Sequence, residues 1–116
     1  MADMVNTKAQ RDGKVVLNET SGAATQTIPW AGVCDERAYL IVRNTDTTTA
    51  ATVVIKAGTG QRADIGDLTV TVAQSTAGVI GPLDSMRFLD RATGKVTVTL
   101  AGPTTITNVK LAFIYA

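Results

Sequence analysis

The sequence predicts an all-β fold: a single-domain antiparallel β-sandwich, jelly-roll-like, with an extended N-terminal arm. Three observations predict it. From about Arg37 onward, short segments that alternate apolar residues with threonine recur every ten residues or so, separated by Gly, Pro, Asp or Asn. Strand side chains point to opposite faces with a period of two, so such segments read as strands with one dry face. Thr, Val and Ile number 19, 13 and 7 among 116 residues, and β-branched residues suit a pleated surface better than a helix. No capped run of helical periodicity stands out. A chain of this length buries roughly two-thirds of its unfolded surface, enough for one modest core.

Residues 1–24 read as the arm and 25–116 as the sandwich. The arm carries Lys8, Arg11, Asp12 and Lys14, then an apolar triplet, Val15-Val16-Leu17, then the small residues Ser21-Gly-Ala-Ala24. One isolated strand is expected at Lys14–Asn18. Termini fray unless tied down, so an ordered arm must be held by its own sheet or by a neighbour. Thr25–Ile28 reads as a strand stopped by Pro29, which cannot donate to a ladder. A polar turn is expected at Asp35-Glu36. Arg37–Asn44 reads as a strand with Ala38, Leu40 and Val42 on one face and Tyr39 and Ile41 on the other. Both faces are apolar, which predicts a central strand or one covered on both sides. Ala50–Ala57 is the next strand, and Gly58–Asp67 a glycine-rich loop. Asp67–Ala73 places Leu68, Val70 and Val72 on the dry face.

Thr76–Ile80 reads as a further short strand, ended by Gly81-Pro82. Asp84–Asp90 is expected to be extended, with Met86 and Phe88 on one face. Asp90–Gly94 reads as a hairpin turn in which Gly94 takes positive φ. Lys95–Ala101 pairs across that turn with Val96, Val98 and Leu100 inward. Thr105–Tyr115 closes the domain with Val109, Leu111, Phe113 and Tyr115 aligned. The total is about seven to nine strands, the number expected of a two-sheet sandwich.

The chemistry is narrow. There is no histidine and one cysteine, Cys34. That removes the commonest general base, the usual zinc and iron–sulfur ligand sets, and any Ser-His-Asp or Cys-His device. The carboxylate pairs Asp35 with Glu36, Asp64 with Asp67, and Asp84 with Asp90 sit at expected turns, where aspartate serves local hydrogen bonds. Gly58-Thr-Gly-Gln-Arg-Ala63 matches G-x-G-x-x-A, but an alternating strand follows where a dinucleotide site needs a helix. No catalytic residue, cofactor or metal site is expected, and we read the protein as not an enzyme. The net charge of +1 shows no basic stripe for nucleic acid, and no segment nears the roughly 20 apolar residues that span a bilayer. Met1–Lys8 lacks a basic region followed by an apolar one, so synthesis in a reducing cytoplasm is expected. Without secretion, the sequon Asn18-Glu19-Thr20 is not read as an acceptor.

Candidate contact residues therefore come from the arm and from one aromatic. Lys8, Arg11 and Lys14 serve either as a contact patch or as solubilising charge. Val15, Val16 and Leu17 can add an edge strand to a partner sheet. Trp30 is either a plug at the sandwich end or a partner contact. Cys34 reads as a small buried filler.

Over residues 37–115 the texture is that of short β-rich phage structural modules. Ala50-Ala-Thr-Val-Val-Ile-Lys-Ala-Gly58 leads through the glycine loop to Asp67-Leu-Thr-Val-Thr-Val72, and then to Val79-Ile-Gly-Pro-Leu-Asp-Ser-Met-Arg-Phe88. With the arm, the chain resembles the small head-decoration (capsid cement) proteins of tailed bacteriophages. The resemblance implies a homo-oligomer, a trimer in many such proteins, that binds the major capsid protein on the outer surface of the virion. There it stabilises the shell by bridging neighbouring capsid subunits. It implies no catalytic residues. Two other readings stand beside it: a carbohydrate- or receptor-binding β-sandwich, which predicts exposed aromatics near a groove, and another virion part such as a fibre base or tail subunit.

Overall fold

A computed structural model of the chain describes residues 2–10, 12–31, 33 and 37–116. Eleven strands form two packed sheets: β1 (Ala2–Asp3), β2 (Thr7–Lys8), β3 (Thr20–Ser21), β4 (Thr25–Pro29), β5 (Ala38–Asn44), β6 (Ala51–Ile55), β7 (Leu68–Val72), β8 (Thr76–Ile80), β9 (Leu89–Asp90), β10 (Lys95–Ala101) and β11 (Val109–Tyr115). The first sheet runs β1-β4-β10-β6-β7, with β9 also on β10. The second runs β2-β11-β5-β8, with β3 also on β11. All pairings are antiparallel except β1 with β4 and β2 with β11. The expected all-β sandwich is the architecture of the chain.

Alternation sets the core. Val96 lies opposite Ile28, Val98 opposite Ile55, and Leu100 opposite Val53. In the other sheet Leu40 faces Phe113 on one side and Ile80 on the other, and Val42 faces Leu111. These side chains are buried and pack as one cluster. Thr97, Thr99, Thr52, Thr69 and Thr71 take the opposite face of the first sheet, so the threonines of the rhythm form its outer surface.

The N-terminal segment departs from the expected arm. Residues 2–9 cross from one sheet to the other and bind both. β1 lies beside β4, Met4 N donates to Thr27 O at 2.8 Å, and the Met4 side chain enters the core. β2 then lies beside the end of β11, and Ala9 N donates to Tyr115 O at 2.6 Å. β3 returns to the same edge of β11. Between β2 and β3, the described residues 9–10 and 12–19 belong to no strand. The strand expected at Lys14–Asn18 does not form, because the available backbone partners on β11 are taken by β2 and β3. On the other side of the sandwich, the turn from β7 to β8 crosses between sheets, and Ser75 N donates to Asp46 O at 3.0 Å.

Two local expectations are corrected. Asp84–Asp90 is a short helix, α1 (Ser85–Phe88), followed by β9. Asp84 caps the helix by accepting from Met86 N at 2.9 Å, and this local bond outweighs the alternation. Residues before Val109 form a 3-10 turn, Ile106–Asn108, so the last strand starts later than Thr105. β5 is central in its sheet, the first of the two expected alternatives, and is covered on one face, since Tyr39 and Arg43 are exposed. Gly94 has φ 70°, as the hairpin requires. The Asp35-Glu36 turn lies outside the described residues.

Candidate interaction surface

Most aspartates serve turns and strand ends. Asp46 Oδ1 accepts from Thr48 N at 2.9 Å and Thr49 N at 3.0 Å. Asp67 accepts from Ala57 N at 2.6 Å and from Lys56 Nζ at 3.3 Å. Asp90 accepts from Ala92 N at 3.0 Å. Asp3 accepts from Lys95 Nζ at 2.7 Å and from the Thr27 hydroxyl, clipping β1 to the sheet. Asp64 is exposed on the 3-10 turn Ala63–Ile65. No group of three His, Cys, Asp or Glu side chains is arranged to hold a metal among the described residues. No helix of the described residues is long and apolar enough to cross a membrane.

These bonds favour the ionised carboxylates. Lys95 and Thr27 lower the pKa of Asp3, the Thr48 and Thr49 N–H groups that of Asp46, and the Ala57 N–H and then Lys56 that of Asp67. A carboxyl that ionises more readily when folded contributes stability above its unfolded pKa and loses it as pH falls through the lower folded value. The chain has no histidine to titrate near neutrality. Thermal melts should therefore give a nearly constant Tm from about pH 5 to 7 and a falling Tm below about pH 4. Asp46→Asn should flatten that acid limb, and an acid limb unchanged in the variant would contradict the assignment.

A shallow depression of about 460 Å³ lies on the outer face of the first sheet, lined by Asp3, Thr27, Asp90, Thr93, Lys95 and Thr97. None of these residues is aromatic. Its charges are already engaged, Asp3 with Lys95 and Asp90 with its own turn, so what it offers is mainly hydroxyls.

Glycines 58 and 60 have a mechanical role. A Cβ on Gly58 would stand 2.1 Å from Leu89 O, and one on Gly60 2.4 Å from Met86 O. Gly58 N also donates to Arg87 O at 2.8 Å. The G-x-G match thus marks a close approach of two backbones.

The expected contact residues separate into groups. Trp30 is 6% exposed, with its ring 5.3 Å from that of Phe113. It packs in the core cluster and presents little surface for a contact. Arg11 and Cys34 lie outside the described residues. Lys8 is exposed on β2 and Lys14 on the loop. Val15, Val16 and Leu17 are 41%, 77% and 42% exposed. The loop that carries them is anchored at its return: Asn18 N donates to Thr7 Oγ1 at 2.9 Å, and Glu19 pairs with Arg43 at 2.6 Å. Three adjacent apolar side chains are thereby left exposed next to Lys14 in the chain.

A second exposed apolar area was missed at the sequence level. On the outer face of the second sheet, Ile41 lies opposite Val79 on one side and Ala112, itself buried, on the other, and Tyr39 lies opposite Ile114. Val79 is 66% exposed. Arg43 and Lys110 face each other at one end of this patch. The signal is the apolar second face of 37–44, which fits a central strand as well as one covered on both sides.

The chain is thus a two-sheet β-sandwich whose candidate site is an exposed surface. In comparisons with known proteins, no family model, no curated protein and no solved structure matches it.

Proposed function

We propose that the protein is a structural binding protein that attaches to the outer surface of a phage capsid and stabilises it by bridging neighbouring subunits of the major capsid protein. The observation that carries this is the Val15-Val16-Leu17 triplet, displayed on a loop whose return is fixed to the sandwich by Asn18 and Glu19. Exposed apolar residues grouped in this way mark interaction sites. Lys8 and Lys14 add positive charge, which favours an acidic rim on the partner. A slab about 21 Å thick suits a protein that lies on a larger surface. In a homo-oligomer each loop contact is weak alone, but the later ones become intramolecular and the total gains avidity.

Because residues 2–8 belong to both sheets, a deletion through them would damage the fold. The informative variant is Val15→Ser/Val16→Ser/Leu17→Ser. Its Tm should stay within about 2 °C of the parent, since exposed substitutions are nearly neutral. Its co-sedimentation with purified phage heads should fall at least about ten-fold, from the lost apolar burial. Unchanged co-sedimentation would remove the loop from the contact. A parent protein that co-sediments with no phage head would overturn the capsid reading itself.

A further inference from the structure

Exposed sheet edges invite pairing, and proteins usually blunt them. The outer edges of this chain are protected to different degrees. In the first sheet β1 is two residues long and clipped by the Asp3–Lys95 pair. β7, at the far end, is five uncharged residues with one neighbour, but carbonyls at both of its ends are engaged. Arg87 donates to Gly66 O at 3.0 Å and to Asp67 O at 3.3 Å, while Asn44 Nδ2 donates to Val72 O at 3.2 Å. In the second sheet β2 and β3 are two residues each.

β8 is different. It has five residues, Thr76-Ala-Gly-Val-Ile80, with no charge and no proline. It pairs only with β5, and among the described residues its backbone has no other hydrogen-bonding partner.

We propose that β8 is a self-association edge that pairs antiparallel with β8 of a second copy of this chain, about a two-fold axis at Gly78. The sequence of the strand fits itself in that register. Gly78 meets Gly78 of the second copy, Ala77 meets Val79, and Thr76 meets Ile80, so the bulky outward residue stands opposite a small one. A Cβ at Gly78 would have nothing within 4 Å, so the sheet face at the axis is open. Val79 already lies opposite Ile41, so the apolar rows of the two copies join across the seam. Charge does not oppose the approach. The strand carries none, and Arg43, the cation opposite Ala77, is paired with Glu19. A two-fold joint of this kind is isologous and closes on itself. It is distinct from the threefold assembly that the phage resemblance implies, and it does not depend on what the Val15–Leu17 loop binds. A five-residue seam buries little area, which places it in the weak, reversible class.

Sedimentation velocity on the full chain, over about three decades of concentration up to about 1 mM, covers the range of weak interfaces. The expected result is a monomer–dimer equilibrium. Val79→Lys and Ala77→Lys should each weaken it at least ten-fold with unchanged Tm, and Ile65→Lys, an exposed site away from β8, should leave it unaltered. Hydrogen exchange at Thr76–Ile80 should slow as the dimer fills. A monomer throughout would overturn the proposal. So would a dimer indifferent to Val79→Lys, or an edge that captures another protein's strand while the chain itself stays monomeric.

Discussion

Gly58→Ala should unfold a large part of this protein's stability margin, with a loss of at least about 3 kcal/mol and a fall in Tm of more than about 10 °C. The added methyl would meet the carbonyl oxygen and carbon of Leu89 at 2.1 and 2.4 Å and the carbonyl carbon of Phe88 at 2.7 Å. All three are backbone atoms, so no rotamer change relieves the clash. The segment that must retreat carries Phe88, which is buried, and Arg87, which holds the Gly66 and Asp67 carbonyls. One methyl therefore disturbs the core and the end of β7 together. The contrast is Gly78→Ala, where the space is open. There the loss of unfolded-state freedom should leave stability equal or raise it by up to about 1 kcal/mol. Thermal melts of the two variants decide the matter, and a Gly58→Ala loss below about 1 kcal/mol would mean that residues 86–89 are not seated on that glycine.

Phe113→Ala should remove about 3–5 kcal/mol, a large share of the 5–15 kcal/mol typical of a domain. Phe113 is fully buried on β11, opposite Leu40, between the rings of Trp30 at 5.3 Å and Tyr115 at 6.4 Å. Truncation leaves a cavity that its neighbours on two sheets cannot all fill. Trp30 is the only tryptophan, so its emission reports this place alone. Urea titration should show a lower midpoint with an unchanged slope, accompanied by a red-shifted native emission. An emission spectrum identical to the parent's would contradict the packing of Trp30 on Phe113.

The strands were legible wherever each segment's own alternation decided the matter. Lys95–Ala101 and Thr76–Ile80 have the predicted bounds, and Val96, Val98, Leu100, Leu111 and Phe113 face inward as expected. The misread segments are those in which a side chain or a distant strand overrides alternation. Asp84 turns its segment into a capped helix. The polar N-terminal residues carry no alternating signal, yet edges made free elsewhere in the fold draw them into both sheets. Of the candidate surface, Val15-Val16-Leu17 stood out because three apolar residues interrupt a polar stretch. The Tyr39–Val79 patch did not, since it joins residues forty apart in sequence.

By itself, the sequence determined the class of fold, the inward face of the main strands, and the absence of histidine-based chemistry. Each of these follows from residue type or from a period of two, which is local information. Only the tertiary structure decided that the first residues stitch the two sheets together, that Gly58 and Gly60 lie against the 86–89 backbone, and that carbonyls at both ends of β7 are engaged while those of β8 are not. Those are relations between segments far apart along the chain, and the steric and hydrogen-bonding constraints that create them exist only once the sheets have come together.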